Sequence, residues 1–395
     1  MRLSFASQAL LAAGIFASTF VAVNYASAQP APGLSAAFTR AQHLRRGVNA
    51  SIWFAQSPND YSAQRTDAYM DASDFVLIAK MGCDHVRLSI DPDPLTHPAA
   101  PHGALVDGMN PEFLGRLDRA VDGILAQGLA VMIDIHPEES YKVRLREGRD
   151  GVDRFVELWR HLAAHYASRD SNLVFFEVMN EPEVHDPYRW QGILARVVAA
   201  IRQAAPRNTI LAAAGSWDSL QDLLALTPVA DDNVIYTFHF YEPYEFTHQG
   251  AGWATSWWRY THDVPYPVND STPMTVLSEL PDAADQLELE RYFLNHWDAR
   301  HIRLLIDTAA EWGKAHHVPV VCNEFGAFRD HSEPVARAAY IHDVRTALEA
   351  DGMGWTMWDY RGNFGVVTRE SGTSIPDPAI VAALGLTLPQ GPSNK

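Results

Sequence analysis

The sequence predicts a single (β/α)8 (TIM) barrel, and three observations favour this fold class. The chain has 395 residues, of which 47% are hydrophobic and 11% aromatic, so one domain can bury a full-sized core. Apolar runs alternate with helix-period segments about eight times, which is typical of repeated βα units. The sequence lacks the glycine-rich phosphate turn that often marks a doubly wound sheet. We therefore expect a barrel domain over residues 46–390.

The start of the chain predicts a secretory signal peptide over residues 1–28. Arg2 supplies a positive charge, an apolar run extends from Leu10 to Val23, and Ala26-Ser27-Ala28 offers a cleavage site between small residues. A stop-transfer pattern does not follow, which favours cleavage after Ala28 over a permanent membrane anchor. After a lead over residues 29–45, the mature protein is expected to be secreted, either extracellular or periplasmic.

Eight strands are predicted from apolar runs that are nearly continuous, as in parallel strands covered by helices. These strands are expected at residues 46–50, 85–90, 129–136, 173–181, 209–213, 234–241, 318–324 and 354–359.

The clearest predicted helix lies between the second and third strands. Asn110 serves as its N-cap, Pro111 occupies its first turn, and Gly128 closes it. Other segments with helical period are 67–80, 152–167, 188–204, 302–316 and 335–350. The longest irregular stretch, residues 242–300, follows the sixth strand, and its aromatic content favours an ordered, functional loop.

Charge and cysteine content exclude several classes of protein. A formal net charge of -17 argues against nucleic-acid binding and against attraction to an anionic membrane surface. The two cysteines, Cys83 and Cys322, are expected in the second and seventh strands, which are not neighbours in a barrel. We therefore expect two buried free thiols, although an exported protein could form a disulfide.

Polar residues end most of the predicted strands, which is where the active site of this fold lies. The strongest candidates are two glutamates, Glu181 and Glu324, which end the fourth and seventh strands on opposite sides of a small barrel. Such a carboxyl pair suits glycoside hydrolysis, and retention of configuration requires a separation of about 5 to 5.5 Å. The alternative is that the two glutamates merely cap nearby helices. The polar residues that end the other strands weigh against that alternative.

From about Arg46 to its end, the sequence resembles glycoside hydrolase family 5, the cellulase family of the clan A barrels. The most specific motif is Asn180-Glu181-Pro182 after an apolar strand, combined with Glu324 in an N-E-F-G context and Trp358 before an aspartate. The resemblance implies a retaining mechanism in which Glu181 is the general acid and then the base, while Glu324 is the nucleophile.

The resemblance also implies roles for the polar side chains around the two glutamates. Asn180 would bond the sugar 2-hydroxyl. Arg87 and Tyr241 would stabilise the negative charge of the nucleophile. His136 would contact sugar hydroxyls, and His239 would orient the acid/base residue or the leaving group. Each histidine could instead be a core residue whose hydrogen bonds are satisfied.

Aromatic residues are the candidates for stacking against sugar rings. Trp358 is expected to lie under the ring at the cleavage point. Trp53, after the first strand, and Trp253, Trp257 and Trp258, in the long loop, could extend this platform or could pack in the core.

A retaining hydrolase of β-linked glucan, most simply β-1,4-glucan, is the leading hypothesis. We expect it to act as a monomer on an oligo- or polysaccharide, without a cofactor or a metal, because residues 47–50 lack the paired ligand motif of metal-dependent barrels. The same chemistry on β-mannan, β-1,3-glucan or a bacterial exopolysaccharide stays open. A non-catalytic carbohydrate-binding barrel is the alternative from another class.

Overall fold

The structure is a computed structural model that describes residues 35–57, 60–97, 105, 107–253 and 257–389. The predicted signal peptide and the lead as far as residue 34 lie outside the described residues. Among the described residues, none of the helices is long and apolar enough to cross a membrane.

Eight parallel strands close into a barrel in sequence order, with the eighth strand paired to the first. This arrangement confirms the predicted (β/α)8 barrel. The strands are β1 Arg46–Phe54, β2 His85–Ile90, β3 Ala130–Ile135, β4 Val174–Glu177, β5 Thr209–Ala212, β6 Val234–Phe240, β7 Val320–Phe325 and β8 Gly354–Met357. An antiparallel hairpin follows the barrel strands, formed by β9 Val367–Glu370 and β10 Thr373–Pro376.

Helices surround the barrel, and each predicted helical segment coincides with one or two of them. They are α1 Ala36–Ala41, α2 Ala63–Tyr69, α3 Ala72–Met81, α4 Pro92–Thr96, α5 Pro111–Leu125, α6 Glu139–Glu147, α7 Arg149–Tyr166, α8 Pro187–Ala204, α9 Leu220–Ala225, α10 Tyr244–Thr247, α11 Ala283–Leu294, α12 Ala299–His316, α13 Pro334–Ala350 and α14 Pro378–Ala383. In α5 the side chain of Asn110 accepts hydrogen bonds from the first turn, as predicted.

Two predicted segments differ from the structure. The single helix expected over residues 67–80 is two helices, because Asp71 and Asp74 form a capping box that starts α3. The stretch 242–300, expected to be irregular, contains α11, which is capped by Asp282 and buries Leu289, Tyr292 and Phe293.

The strands are less regular at their carboxyl ends than along the rest of their length. The pairing of β6 with β7 shifts between Phe238 and His239, and that of β7 with β8 shifts between Cys322 and Phe325. Such irregularities redirect side chains at barrel rims and are common beside active sites. At the opposite end of the barrel, α1 contacts β5 and β6.

The two cysteines are free and buried, which confirms the expected thiols. Cys322 lies in β7 as predicted, but Cys83 lies just before β2 rather than within it.

Candidate active site

Glu324 lies in β7 with its carboxylate held on both oxygens. Arg87 in β2 donates to Oε1 over 2.5 Å, and the Tyr241 hydroxyl donates to Oε2 over 2.8 Å. Only 4% of the residue is exposed. Both donors stabilise negative charge on this carboxylate and fix its orientation.

Arg87 is fully buried and connects several strands through its guanidinium group. It makes two parallel hydrogen bonds to Glu177, of 2.7 and 2.6 Å, and donates to the amide oxygens of Asn49 and Asn180 over 2.9 Å each. Its Nη2 also lies 3.1 Å from Asp134. Burial lowers the pKa of Arg87, but the surrounding carboxylates raise it well above its ordinary value. The nucleophile candidate therefore faces a permanent positive charge.

Glu181 follows β4 and is held by fewer contacts. The strand that was predicted to extend to residue 181 ends at Glu177 in the structure. Beyond Glu177, only isolated backbone hydrogen bonds join the chain to neighbouring strands. Glu181 itself has a left-handed backbone conformation, with φ at 41°. Its side chain is 29% exposed, and the Nδ1 atom of His239 lies 3.2 Å from Oε1.

Glu181 and His239 are hydrogen-bonded, and each shifts the pKa of the other. Burial lowers the pKa of His239, but the negative charges of Glu324, Glu181 and Asp218 outweigh burial and raise it to about 9. Burial raises the pKa of Glu181, but the hydrogen bond and the charge of His239 hold it below its ordinary value. These opposite shifts favour an ion pair between the imidazolium and the carboxylate.

A carboxylate oxygen of Glu181, one of Glu324 and a nitrogen of His239 all lie within 4.8 Å of one another. This distance suits a retaining pair, for which about 5 to 5.5 Å is typical. A metal ion would also require such proximity, but both oxygens of Glu324 already accept hydrogen bonds and Nδ1 of His239 already faces Glu181. These hydrogen bonds satisfy the three side chains through one another.

His136, Asn180 and Trp358 line the same end of the barrel. The Nδ1 atom of His136 lies 3.0 Å from Asp134, and its Nε2 lies 3.2 Å from the amide nitrogen of Asn180. Burial lowers the pKa of His136 to about 3, so the ring is neutral and can accept from this amide. The ring stacks on Trp358 at 5.6 Å with an interplanar angle of 15°. The partly buried Trp358 is thereby held in place beside the two glutamates.

The four tryptophans predicted as a possible platform lie in different environments. Trp53 is a core residue, which corrects the suggestion that it stacks on a glycan: it is 4% exposed, and its indole nitrogen donates to the carbonyl of Thr66. Trp257 is also buried, and the partly buried Trp258 stacks on Tyr244 at 5.5 Å. Trp253 is 59% exposed and remains available for stacking on a sugar ring.

The sequence patterns missed three residues near the site. Glu177 was detectable as a charge in an apolar strand, the same signal that identified Arg87. Asp218 is fully buried beside His239, and the neighbouring Trp217 is 50% exposed and packs on His185 in the loop after β4. Both follow β5, whose apolar run ends in small residues and carries no polar signal.

Comparisons with known proteins identify the family. The profile for Cellulase (glycosyl hydrolase family 5) matches residues 48–364. Endoglucanase 3 of Fibrobacter succinogenes is 29% identical over 343 residues, which cover 82% of this chain and 51% of that protein. Endoglucanase C of Acetivibrio thermocellus is 27% identical over 324 residues, which cover 80% of this chain and 91% of that protein. The chain thus spans about half of the first relative and most of the second.

The solved structure of endoglucanase Cel5A from the hyperthermophilic Thermotoga maritima is similar along the whole barrel. It is 25% identical with a TM-score of 0.71, and the match covers 88% of this chain and 99% of that one. Structures of the same Cel5A in complex with cellobiose and with mannotriose are also 25% identical, with TM-scores of 0.68 and 0.69. With this fold and a family match over most of its length, the chain belongs to glycosyl hydrolase family 5 and is a glycoside hydrolase.

Proposed function

We propose that this protein is an exported, retaining hydrolase of β-1,4-glucan, with Glu181 as acid/base and Glu324 as nucleophile. One observation carries the proposal: two carboxyl groups lie within 4.8 Å of each other in unequal environments. Glu324 is held by Arg87 and Tyr241, as an attacking carboxylate requires, and Glu181 is hydrogen-bonded to His239, a residue that can itself carry a proton.

The mechanism proceeds in two displacements. In the first, Glu181 gives its proton to the glycosidic oxygen as the bond from that oxygen to the anomeric carbon breaks, while Glu324 attacks the same carbon. In the second, Glu181 takes a proton from water, the resulting hydroxide attacks the anomeric carbon, and Glu324 leaves. The Asn180 amide, which accepts from Arg87 and lies 3.2 Å from His136, is proposed to bond the sugar 2-hydroxyl, a contact that strengthens in the transition state.

The substrate assignment rests on the relatives. Two of them are named endoglucanases, and a structure of Cel5A from Thermotoga maritima contains cellobiose. β-Mannan is the second candidate, because the same Cel5A also has a structure with a mannotriose substrate. Trp358 and the exposed Trp217 and Trp253 supply apolar faces on which pyranose rings of either polymer can stack.

The roles of the two glutamates are tested with Glu324→Ala and Glu181→Ala on an aryl β-cellobioside in the presence of azide. We expect Glu324→Ala to lose turnover and to form the α-configured azide product, because azide enters from the face that the nucleophile occupied. Glu181→Ala should form the β-configured product through the intact glycosyl-enzyme. Glu157→Ala, on the exposed surface of α7, is the matched control. Wild-type kinetics in Glu324→Ala, or products of the opposite configuration, would contradict the assignment.

The substrate is tested by sizing the products from soluble β-1,4-glucan, β-1,4-mannan and β-1,3-glucan. We expect short oligosaccharides from β-1,4-glucan at the highest rate, and exclusive release from mannan would replace glucan in the proposal. Export is tested by the mass of the protein recovered from outside the cytoplasm. That chain should begin at Gln29, after the predicted cleavage site.

A further inference from the structure

The imidazole of His239 has two nitrogens, and the mechanism above uses only one. Nδ1 faces Glu181 at 3.2 Å and Glu324 at 3.5 Å. Nε2 is buried and has no hydrogen-bond partner among the described residues. A buried nitrogen without a hydrogen-bond partner costs free energy of folding, so the group that faces Nε2 matters for its stability.

Asp218 is the carboxylate on that side, with Oδ2 at 3.8 Å from Nε2. It is fully buried and held on both oxygens, by the Ala214 amide over 2.8 Å and by the Thr237 hydroxyl over 2.7 Å. The backbone also fixes the pair, since the His239 amide donates to the Asp218 carbonyl over 2.7 Å and Ser219 forms a parallel bridge with His239. The main chain thus places an anion behind the imidazole.

We propose that Asp218 is a positioning residue that keeps the Nε2 atom of His239 protonated and thereby directs the Nδ1 proton to Glu181. The proposal rests on the proposed function of Glu181 as the acid/base. A carboxylate behind an imidazole selects its tautomer and stabilises its charged form.

The proposed proton transfer begins with an imidazolium of His239 and a carboxylate of Glu181, whose Nδ1 and Oε1 atoms are 3.2 Å apart. When a glycan displaces water, the Nδ1–H bond breaks and an O–H bond forms on Glu181, which becomes the neutral acid that the leaving oxygen requires. The remaining imidazole is neutral and keeps its proton on Nε2, directed at Asp218. After Glu181 accepts a proton from water, its O–H bond breaks as the proton returns to Nδ1 of His239, and the two residues regain their original charges.

Acidic groups on several strands stabilise the protonated form of His239. Burial raises the pKa of Asp218 to about 7, against the lowering effect of the positive charge of His239. Asp218 therefore ionises most readily when His239 is an imidazolium. Several acidic groups act on His239, and they come from different strands: Asp134 from β3, Glu177 from β4, Glu181 beyond it, Asp218 after β5, Glu242 after β6 and Glu324 from β7.

The test compares Asp218→Asn with the wild type on two substrates. One is a cellobioside with a 2,4-dinitrophenolate leaving group, which departs without a proton, and the other is unactivated cellotetraose. An amide at position 218 donates to Nε2 and favours the wrong neutral tautomer, as in other Asp-His pairs. We expect kcat/KM on cellotetraose to fall about 10- to 100-fold, part of the roughly 10²- to 10⁴-fold that general acid catalysis supplies. On the activated substrate it should stay within about twofold of the wild type.

Asp222→Asn is the matched control, because Asp222 is an acid in the same segment that bonds Ser219 and has no contact with His239. It should behave as the wild type on both substrates. The alkaline limb of the kcat/KM profile should move to lower pH in Asp218→Asn alone, since the variant removes one of the negative charges that hold the proton on His239.

Other outcomes separate this proposal from the function on which it rests. Equal losses on both substrates, or no loss on either, would overturn the role of Asp218. Glu181→Gln, measured alongside, should lose kcat/KM only where the leaving group needs a proton; if kcat/KM falls equally on both substrates, the assignment of Glu181 fails instead. If Asp218→Asn does not fold, ¹⁵N NMR of wild-type His239 above its pKa decides, because a neutral ring protonated on Nδ1 contradicts the proposal.

Discussion

The surroundings of Glu324 and of Glu181 differ in how many contacts hold each carboxylate. Glu324 is buried, and each of its oxygens accepts a hydrogen bond, from a guanidinium group and from a phenol. Glu181 lies beyond the end of β4, and its side chain is 29% exposed. Its hydrogen-bond partner is His239.

This difference matches the two kinds of chemistry expected of the pair. A nucleophile needs a constant negative charge in a constant position, so a permanently charged Arg87 suits it. An acid/base residue must gain and lose a proton in each cycle, so its partner must itself titrate. Two glutamates of identical composition thus become different reagents through their neighbours.

Arg87→Lys removes the guanidinium group that holds Glu324, and it should have the largest effect. A lysine cannot maintain the two parallel bonds to Glu177 while it reaches Glu324, so buried carboxylates lose their partner. We expect unfolding free energy, measured in urea, to fall by about 3–5 kcal/mol. We expect kcat/KM to fall about 10²- to 10³-fold. Arg119→Lys, in an exposed pair with Asp67, should change stability by less than about 1 kcal/mol. An unchanged rate in Arg87→Lys would contradict the role of the guanidinium.

Tyr241→Phe sharpens the comparison by removing a single donor from Glu324 and nothing from Glu181. A hydrogen bond to a charged group contributes about 1.5–3 kcal/mol, which corresponds to a fall of about 10- to 100-fold in kcat/KM. Because the defect concerns the nucleophile, the loss should be similar on activated and unactivated cellobiosides. A loss confined to the unactivated substrate would instead link Tyr241 to proton transfer.

Because His239, the partner of Glu181, can itself titrate, we expect a smaller effect on stability at alkaline pH. The pKa of His239 is raised from 6.5 to about 9, so the stabilisation from its charge is complete below about pH 6.5 and is lost as the pH rises through 9. The raised pKa of Asp218, about 7, acts in the same direction. We expect Tm, measured by calorimetry, to fall by roughly 2–4 °C between about pH 7 and pH 9 for this group alone.

His239→Gln should reduce this alkaline fall in Tm, and the exposed His342→Gln should leave it as in the wild type. An equal slope in His239→Gln and the wild type would show that the pair is not the titrating element. In that case the shared proton would have to be assigned elsewhere.

Much of the fold followed from local patterns. All eight barrel strands coincide with predicted apolar runs, and the capped helix after Asn110 begins where the sequence indicates. The polar strand ends that indicated the site also lie together. Trp53 could not be assigned in advance, because an aromatic residue after a strand has the same local pattern in a core as on a platform. Glu177 does not stand out because strands buried on both faces show no alternation that separates inward from outward positions. Asp218 does not stand out because it lies in a turn after the small residues that follow β5.

By itself, the sequence determined the βα alternation, the two glutamates at opposite strand ends and the arginine, tyrosine and histidines that accompany them. Only the tertiary structure decided which carboxylate is held by a guanidinium group and a phenol and which one faces an imidazole. The physical reason is distance: Arg87 and Glu324 are 237 residues apart in the chain but 2.5 Å apart in the barrel. Electrostatic interactions between buried groups depend on such separations and on burial, and neither is encoded in a local pattern.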